Sequence, residues 1–318
     1  MYYPYFRGKQ FELMAIRELA SVMATAGFVP IIEPVRQSLG GLERALTAIT
    51  NAGGRAIVIV NPVYGDHGGG DGASLLEFLE RGYGDNDAVQ GALLLRSDAA
   101  SSTAVEQLAG DAVRFGAIVH AGYTDARAVA DALGEARMHE MYHVFVEDQA
   151  NMLYRRHFLG STRVLVRDGF ERKRNADYAP IDNFSDLHAT YRDLGMDGYG
   201  DFLTVGDSYS EGGGPAYAVA IHLTYIDPAQ DDAMFVQHFV SDTNDTPTDP
   251  AGKFAQALNK LMSVLDGGGS PFVKSSAIGE LRQLHDSAHF PGLGYVKKLS
   301  VKHHVETLAE YHGREGNA

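Results

Sequence analysis

The chain has 318 residues, 45% of them hydrophobic and 21% charged, enough apolar content to bury a large core, which excludes a disordered or fibrous protein. Its 27 basic residues face 41 acidic ones, for a formal net charge of −14, so direct non-specific DNA binding and attachment to an anionic membrane are not expected. Cysteine is absent, which removes disulfides, thiolate nucleophiles and cysteine-type zinc sites together and fits a reducing compartment.

The opening MYYPYFRGKQFELMAI lacks a basic segment followed by an apolar run, and no window approaches the length of a membrane helix, so a cytoplasmic location is expected. Short runs rich in β-branched and aromatic residues then alternate with segments of helical period, the pattern of repeated βα units around a parallel sheet. Strands are predicted at 3–7, 29–33, 56–61, 92–96, 117–120, 143–147, 163–167 and 201–206. Helices are predicted at 10–26, 39–52, 73–81, 102–114, 125–137, 152–158 and 184–194. In the first of these, Phe11, Met14, Ala15, Leu19 and Val22 form one apolar face, and Gly27 stands where a left-handed residue ends a helix.

Eight such units imply an α/β fold, a (β/α)8 TIM-type barrel whose strands are buried on both faces, as in AIVIV and ALLL. The rival is an open doubly wound sheet, but neither GxGxxG after a strand nor GxxxxGK[ST] is present. Distortion is expected at the eighth strand. The runs AYAVAIHLTYI (216–226) and FVQHFV (235–240) are stronger strand signals than DFLTVG, and pair as a hairpin that closes or extends the barrel. Helices at 253–265, 277–285 and 300–311 follow, so residues 1–215 read as the barrel and 216–318 as a C-terminal hairpin and helices packed on it. DHGGGDG at 66–72 reads as a mobile loop after the third strand.

Barrel sites lie at the carboxyl ends of strands. The polar residues there are Arg7 and Lys9, Glu33 (in FVPIIEPV), Asn61, Arg96 and Asp98, His120, Glu147 and Asp148, Arg167 and Asp168, then Asp207. A strand leaving the core must end in something polar, which accounts for any one of these alone. The recurrence of Arg, His and carboxylate is harder to account for, because loop starts favour Gly, Ser, Asn and Asp. Arg7, Lys9, Asn61, Arg96 and Arg167 suit a phosphate-containing small molecule or nucleotide. Glu33, His120, Glu147 and Asp168 are the catalytic candidates, as acid and base or as oxygen donors to a divalent metal such as Mg. Arg7 and Glu33 are read as residues whose loss abolishes function while the fold survives. GDS at 206–208 and HGGG at 67–70 match hydrolase motifs in letters alone, since the GxSxG elbow is missing.

PYFRGKQFELMAI, PIIEPV, IHLTYI, HFVSD, DPAGKFAQAL and above all HFPGLGYVKKLSVKHHVE resemble bacterial and phage proteins grouped as the "beta protein" family, over nearly the full length. The resemblance implies a barrel-type α/β fold, a mobile-element or phage-defence setting, and a nuclease-like partner protein. It places the family's opening motif on Arg7, Lys9 and Glu12, its second-strand acid on Glu33, and its C-terminal histidines on His303 and His304. Where other members carry a Trp before that pair, this chain has Val296-Lys-Lys. The alternative to a ligand site is therefore a non-catalytic interaction protein that holds the nuclease-like partner through Tyr and His residues of 216–318.

Overall fold

The computed structural model describes residues 1–69, 72–84, 86–108 and 115–315. In chain order the elements are β1 (Tyr5–Phe6), α1 (Gln10–Ala26), β2 (Ile31–Ile32), α2 (Gly40–Asn51), β3 (Ala56–Ile59), α3 (Ala73–Tyr83) and β4 (Val89–Leu95). Then come α4 (Ala99–Leu108), β5 (Ala117–His120), α5 (Ala126–Glu140), β6 (Tyr142–Val146), α6 (Met152–Arg155), β7 (Thr162–Arg167), β8 (Ile181–Ser185) and α7 (Leu187–Thr190). The chain ends with β9 (Gly198–Asp201), β10 (Ala220–Asp227), β11 (Ala233–Val240), α8 (Pro250–Asp266), α9 (Ser276–Asp286) and α10 (Leu293–Glu315).

Eight parallel strands run in the order β1-β2-β3-β4-β5-β6-β7-β9, and a parallel bridge between Tyr2 and Tyr199 spans the remaining gap between first and last. This is a distorted (β/α)8 barrel. Its interior is filled by alternate residues of each strand, among them Tyr5, Ile31, Ile57, Ile59, Leu94, Val119, Val144, Val164 and Val166. The intervening residues pack outward against the helices, as Phe6, Ile32, Val58, Leu95, Phe145 and Leu165 do.

The eighth barrel strand is Gly198–Asp201, upstream of the predicted 201–206, where a single 3-10 turn, Leu203–Val205, is found instead. GYGD falls largely in the gap between the predicted helix at 184–194 and the predicted strand at 201–206, and both its glycines are required by contact. A Cβ on Gly198 would stand 2.5 Å from the Tyr3 ring, and one on Gly200 would stand 2.2 Å from the Tyr3 carbonyl oxygen.

The predicted helix at 184–194 also divides differently, into β8 and the one-turn α7. β8 pairs antiparallel with β11, so the hairpin β10–β11 neither closes nor extends the barrel: it forms a separate three-stranded sheet in the order β10-β11-β8. The predicted helix at 102–114 starts earlier, at Ala99, and its positions 109–114 lie outside the described residues. Gly70 and Asp71 of the 66–72 stretch lie outside them too; before these, Gly65–His67 makes a 3-10 turn, with Asp66 accepting from the Gln37 amide and a His67 ring nitrogen on the Arg36 carbonyl.

α10 is buried on opposite faces. Val301, Val305 and Leu308 join the barrel's outer core while Val296 and Leu299 face the core of the second sheet. Burial at about 1.5–3 kcal/mol per side chain supplies most of its adhesion, and an ionic clamp adds direction. Lys298 reaches both Glu18 carboxylate oxygens at 2.8 and 3.0 Å, Lys302 reaches Glu18 at 2.7 Å and also Glu280, and the Tyr295 hydroxyl donates to Glu280 at 2.7 Å. The Lys298 side chain is 1% exposed. Removing one partner of such a pair strands the other charge in the protein, so Glu18→Ala is expected to cost about 2 kcal/mol in urea unfolding, less than a fully buried pair because Glu18 itself reaches solvent. An unchanged midpoint would leave α10 held by apolar packing alone.

Among the described residues no helix is long and apolar enough to cross a membrane.

Candidate functional site

Strand parity sorts the predicted ring of polar residues. Counting in steps of two from the interior series, Arg7 follows Tyr5, Glu33 follows Ile31, Asn61 follows Ile59, Arg96 follows Leu94 and Asp168 follows Val166, so these five continue the inward-facing register into the barrel mouth. His120 follows Ile118, which packs outward.

Arg7 and Glu33 form the centre. The Arg7 guanidinium donates to Glu33 Oε2 at 2.5 Å, the Tyr5 hydroxyl donates to the same oxygen at 2.8 Å, and the Val63 amide donates to Oε1 at 3.1 Å. Glu33 is completely buried and the Arg7 side chain is 8% exposed. Burial works against the Arg7 cation, but the Tyr5, Glu33 and Asp207 oxygens outweigh it and hold the guanidinium above its usual range. The sequence Arg7-Gly8-Lys9 makes this contact through its glycine. Gly8 has φ 61°, and a Cβ there would stand 2.9 Å from the Glu33 carbonyl oxygen, so β1 turns tightly over the end of β2. Glu12, in the first turn of α1, accepts from the Arg7 amide at 2.6 Å, and burial raises its carboxyl above the ordinary range.

The segment after β9 lies over this centre. Asp207 accepts from Arg7 through its carboxylate, and through its carbonyl at 2.8 Å. The Ser208 carbonyl accepts from Arg172 at 3.1 Å, the Ser210 carbonyl accepts from Lys9 at 2.8 Å, and Tyr209 stacks on Tyr64. Asp168 anchors the segment's start by accepting from the Asp207 amide at 2.8 Å and the Phe170 amide at 3.0 Å, and burial raises its carboxyl.

Arg96 and Lys297 stand apart from this network. The Arg96 guanidinium has no hydrogen-bond or ion-pair partner among the described residues and lies 6.0 Å from the Tyr64 ring centroid. Lys297, at the start of α10, likewise has none, and desolvation and the Arg172 charge push its ammonium down. Desolvation also lowers Lys9, with Lys297, Arg172 and Arg7 adding to it. Lys9, Arg172 and Lys297 thus lie close enough to one another to repel, while Glu12 partly offsets the repulsion at Lys9 and Lys297.

Other predicted residues are placed elsewhere or already engaged. His120 does not reach the mouth. It lies between the barrel and the helices against Phe145 and Phe158, with its ring nitrogens 2.8 Å from the Tyr154 hydroxyl and 3.0 Å from His143 Nδ1. Burial, with His143 beside it, holds its imidazole well below the ordinary range, so it stays neutral. Arg167 is near the rim, with its fork closed on Glu147 at 2.5 and 3.0 Å and on Asp186 at 2.5 Å. Asn61 joins β3 to β4 through both the amide and the carbonyl of Leu94, and Asp98 caps α4 through Ser101. Asp148 is exposed in a 3-10 turn.

His303 and His304 are both fully buried. His303 meets Ser275 and the Thr224 carbonyl, and His304 meets Thr224, Tyr2 and Asp201, tying α10 to the second sheet and the barrel. These imidazoles are therefore not surface contacts. Among the described residues no group of three or more His, Asp or Glu side chains is arranged to hold a metal ion, and Glu33, the central acid, has its oxygens engaged by Arg7, Tyr5 and Val63.

Sequence reasoning missed Tyr64, Arg172, Tyr209 and Lys297. Each lies in a loop or at a helix start whose approach to the mouth depends on tertiary packing. Comparison with protein-family models and with curated proteins gave no match, so the site rests on its geometry.

Proposed function

We propose that this chain binds a phosphate-containing anion at the mouth of its barrel. The observation that carries the reading is the Arg96 guanidinium, which opens on the mouth beside Tyr64 without a hydrogen-bond or ion-pair partner among the described residues. The half-buried guanidinium keeps its planar donor fork free, and a phosphate or carboxylate matches that geometry. Lys9 and Arg172 support the reading in a second way, since each spends its hydrogen bonds on loop oxygens that a ligand's oxygens can replace. The role is binding or sensing rather than acid–base catalysis, because Glu33 is committed to Arg7 and His120 faces away from the mouth. A cytoplasmic location accords with the absence of cysteine, and the "beta protein" resemblance is the support for a mobile-element or phage-defence setting.

The test is thermal unfolding with inorganic phosphate or pyrophosphate against chloride at matched ionic strength. A ligand of the folded state at 100-fold its Kd stabilises by about 2.7 kcal/mol. The wild-type protein is expected to gain with pyrophosphate and Arg96→Ala to lose most of that gain. Equal responses in the two proteins would refute the assignment.

A further inference from the structure

Tyr209 lies on Tyr64 with ring centroids 4.6 Å apart and planes 18° from parallel. Cations flank that aromatic face, Arg7 at 4.8 Å and Arg96 at 6.0 Å from the Tyr64 centroid, and Lys9 lies 4.6 Å from the centroid of Tyr209 itself. In the same segment the carboxylate of Asp207 and the carbonyl oxygens of Asp207, Ser208 and Ser210 take the hydrogen bonds of Arg7, Arg172 and Lys9. One stretch of chain thus presents a planar ring and a run of oxygens to an aromatic face ringed by cations. A nucleotide presents the same two groups.

Resting on the anion-binding reading above, we propose that the mouth takes a nucleoside phosphate, with its base on Tyr64 and its phosphate on Arg96, Lys9 and Arg172, and that residues 207–214 fill this site as an internal stand-in which the ligand displaces. The segment is built for release. Glu211, Gly212, Gly213 and Gly214 are exposed, and a Cβ on any of those glycines would touch nothing within 4 Å. What holds the segment down is the polar latch and the single ring of Tyr209. Because the closed form excludes ligand, the apparent affinity is the intrinsic affinity reduced by the open fraction, and weakening the latch raises it.

Calorimetric titration of the full chain with AMP, adenosine and inorganic phosphate tests this, on the wild type, Tyr209→Ala, Tyr64→Leu and Tyr64→Phe. AMP is expected to bind more tightly than phosphate, Tyr209→Ala to tighten AMP by about tenfold, Tyr64→Leu to reduce AMP to the level of phosphate, and Tyr64→Phe, which keeps the ring, to retain it. If AMP and phosphate bind alike and neither tyrosine changes their ratio, the nucleotide inference fails while the anion site stands. If neither ligand binds the wild type or Tyr209→Ala, both fail.

Discussion

Replacing Glu33 with alanine is expected to cost about 3–5 kcal/mol of unfolding free energy, the range for removing one partner of a buried ion pair. Glu33 is fully buried, and its oxygens take Arg7, the Tyr5 hydroxyl and the Val63 amide. Its loss leaves a guanidinium beneath the 207–214 segment with Asp207 as its remaining carboxylate and leaves the Tyr5 hydroxyl without an acceptor. Arg7→Ala strands the Glu33 carboxylate in the same way. The double variant Arg7→Met with Glu33→Leu is expected to be more stable than either alanine variant, because it removes both charges and fills the space. Urea unfolding of the four proteins reads this directly. Alanine variants with wild-type midpoints would return Arg7 and Glu33 to the role inferred from sequence, residues that serve a ligand and not the fold.

Acid is expected to destabilise the protein steeply between about pH 6.5 and pH 4. Burial pushes His143 and His303 down to about 4, and burial with His238 and Lys297 nearby pushes His222 down to about 3. Burial likewise takes His238 down to about 4, although Asp182 opposes it. Each folded value lies below that of a free imidazole, so the unfolded chain binds protons first as pH falls. The stabilisation from keeping these rings neutral is complete above about pH 6.5 and is lost on the way down through the folded values, on the order of 1–2 kcal/mol per ring by about pH 5. Glu18 and Glu280 act in the same direction at lower pH: burial raises them, but hydrogen bonds from Lys298, Lys302 and Tyr295 outweigh it and hold them below the usual carboxylate range. Glu12 and Asp168, raised by burial, offset part of the loss. Urea midpoints that stay flat between about pH 7 and pH 5 would contradict this protonation scheme.

The barrel is legible in the sequence because seven of its strands are short apolar runs and α1 starts and stops where its apolar face and Gly27 put it. The eighth strand is hidden because GYGD lacks the side chains that mark a strand, and its glycines report a contact with Tyr3 that sequence cannot display. β8 is hidden for a related reason: IDNFS pairs with β11 across roughly fifty residues of chain, and its propensity is weak until that partner is in place. Of the site, the residue types were legible but not their directions. A shift of one position decides between mouth and helix layer, and it separates Arg96, which continues the inward register beside Tyr64, from His120, which packs against Phe145 and Phe158 in the helix layer. The partners that change the meaning of Arg7 and Lys9, Asp207 and Ser210, lie about two hundred residues away in the chain.

Tungstate, a phosphate-sized anion with a strong anomalous signal, offers the most direct measurement: crystals of the wild-type protein soaked in it should show an anomalous peak within hydrogen-bond distance of the Arg96 guanidinium, with the 207–214 segment drawn back from Tyr64. Tungstate confined to surface lysines, with Tyr209 still stacked on Tyr64, would contradict a barrel mouth built to hold an anion.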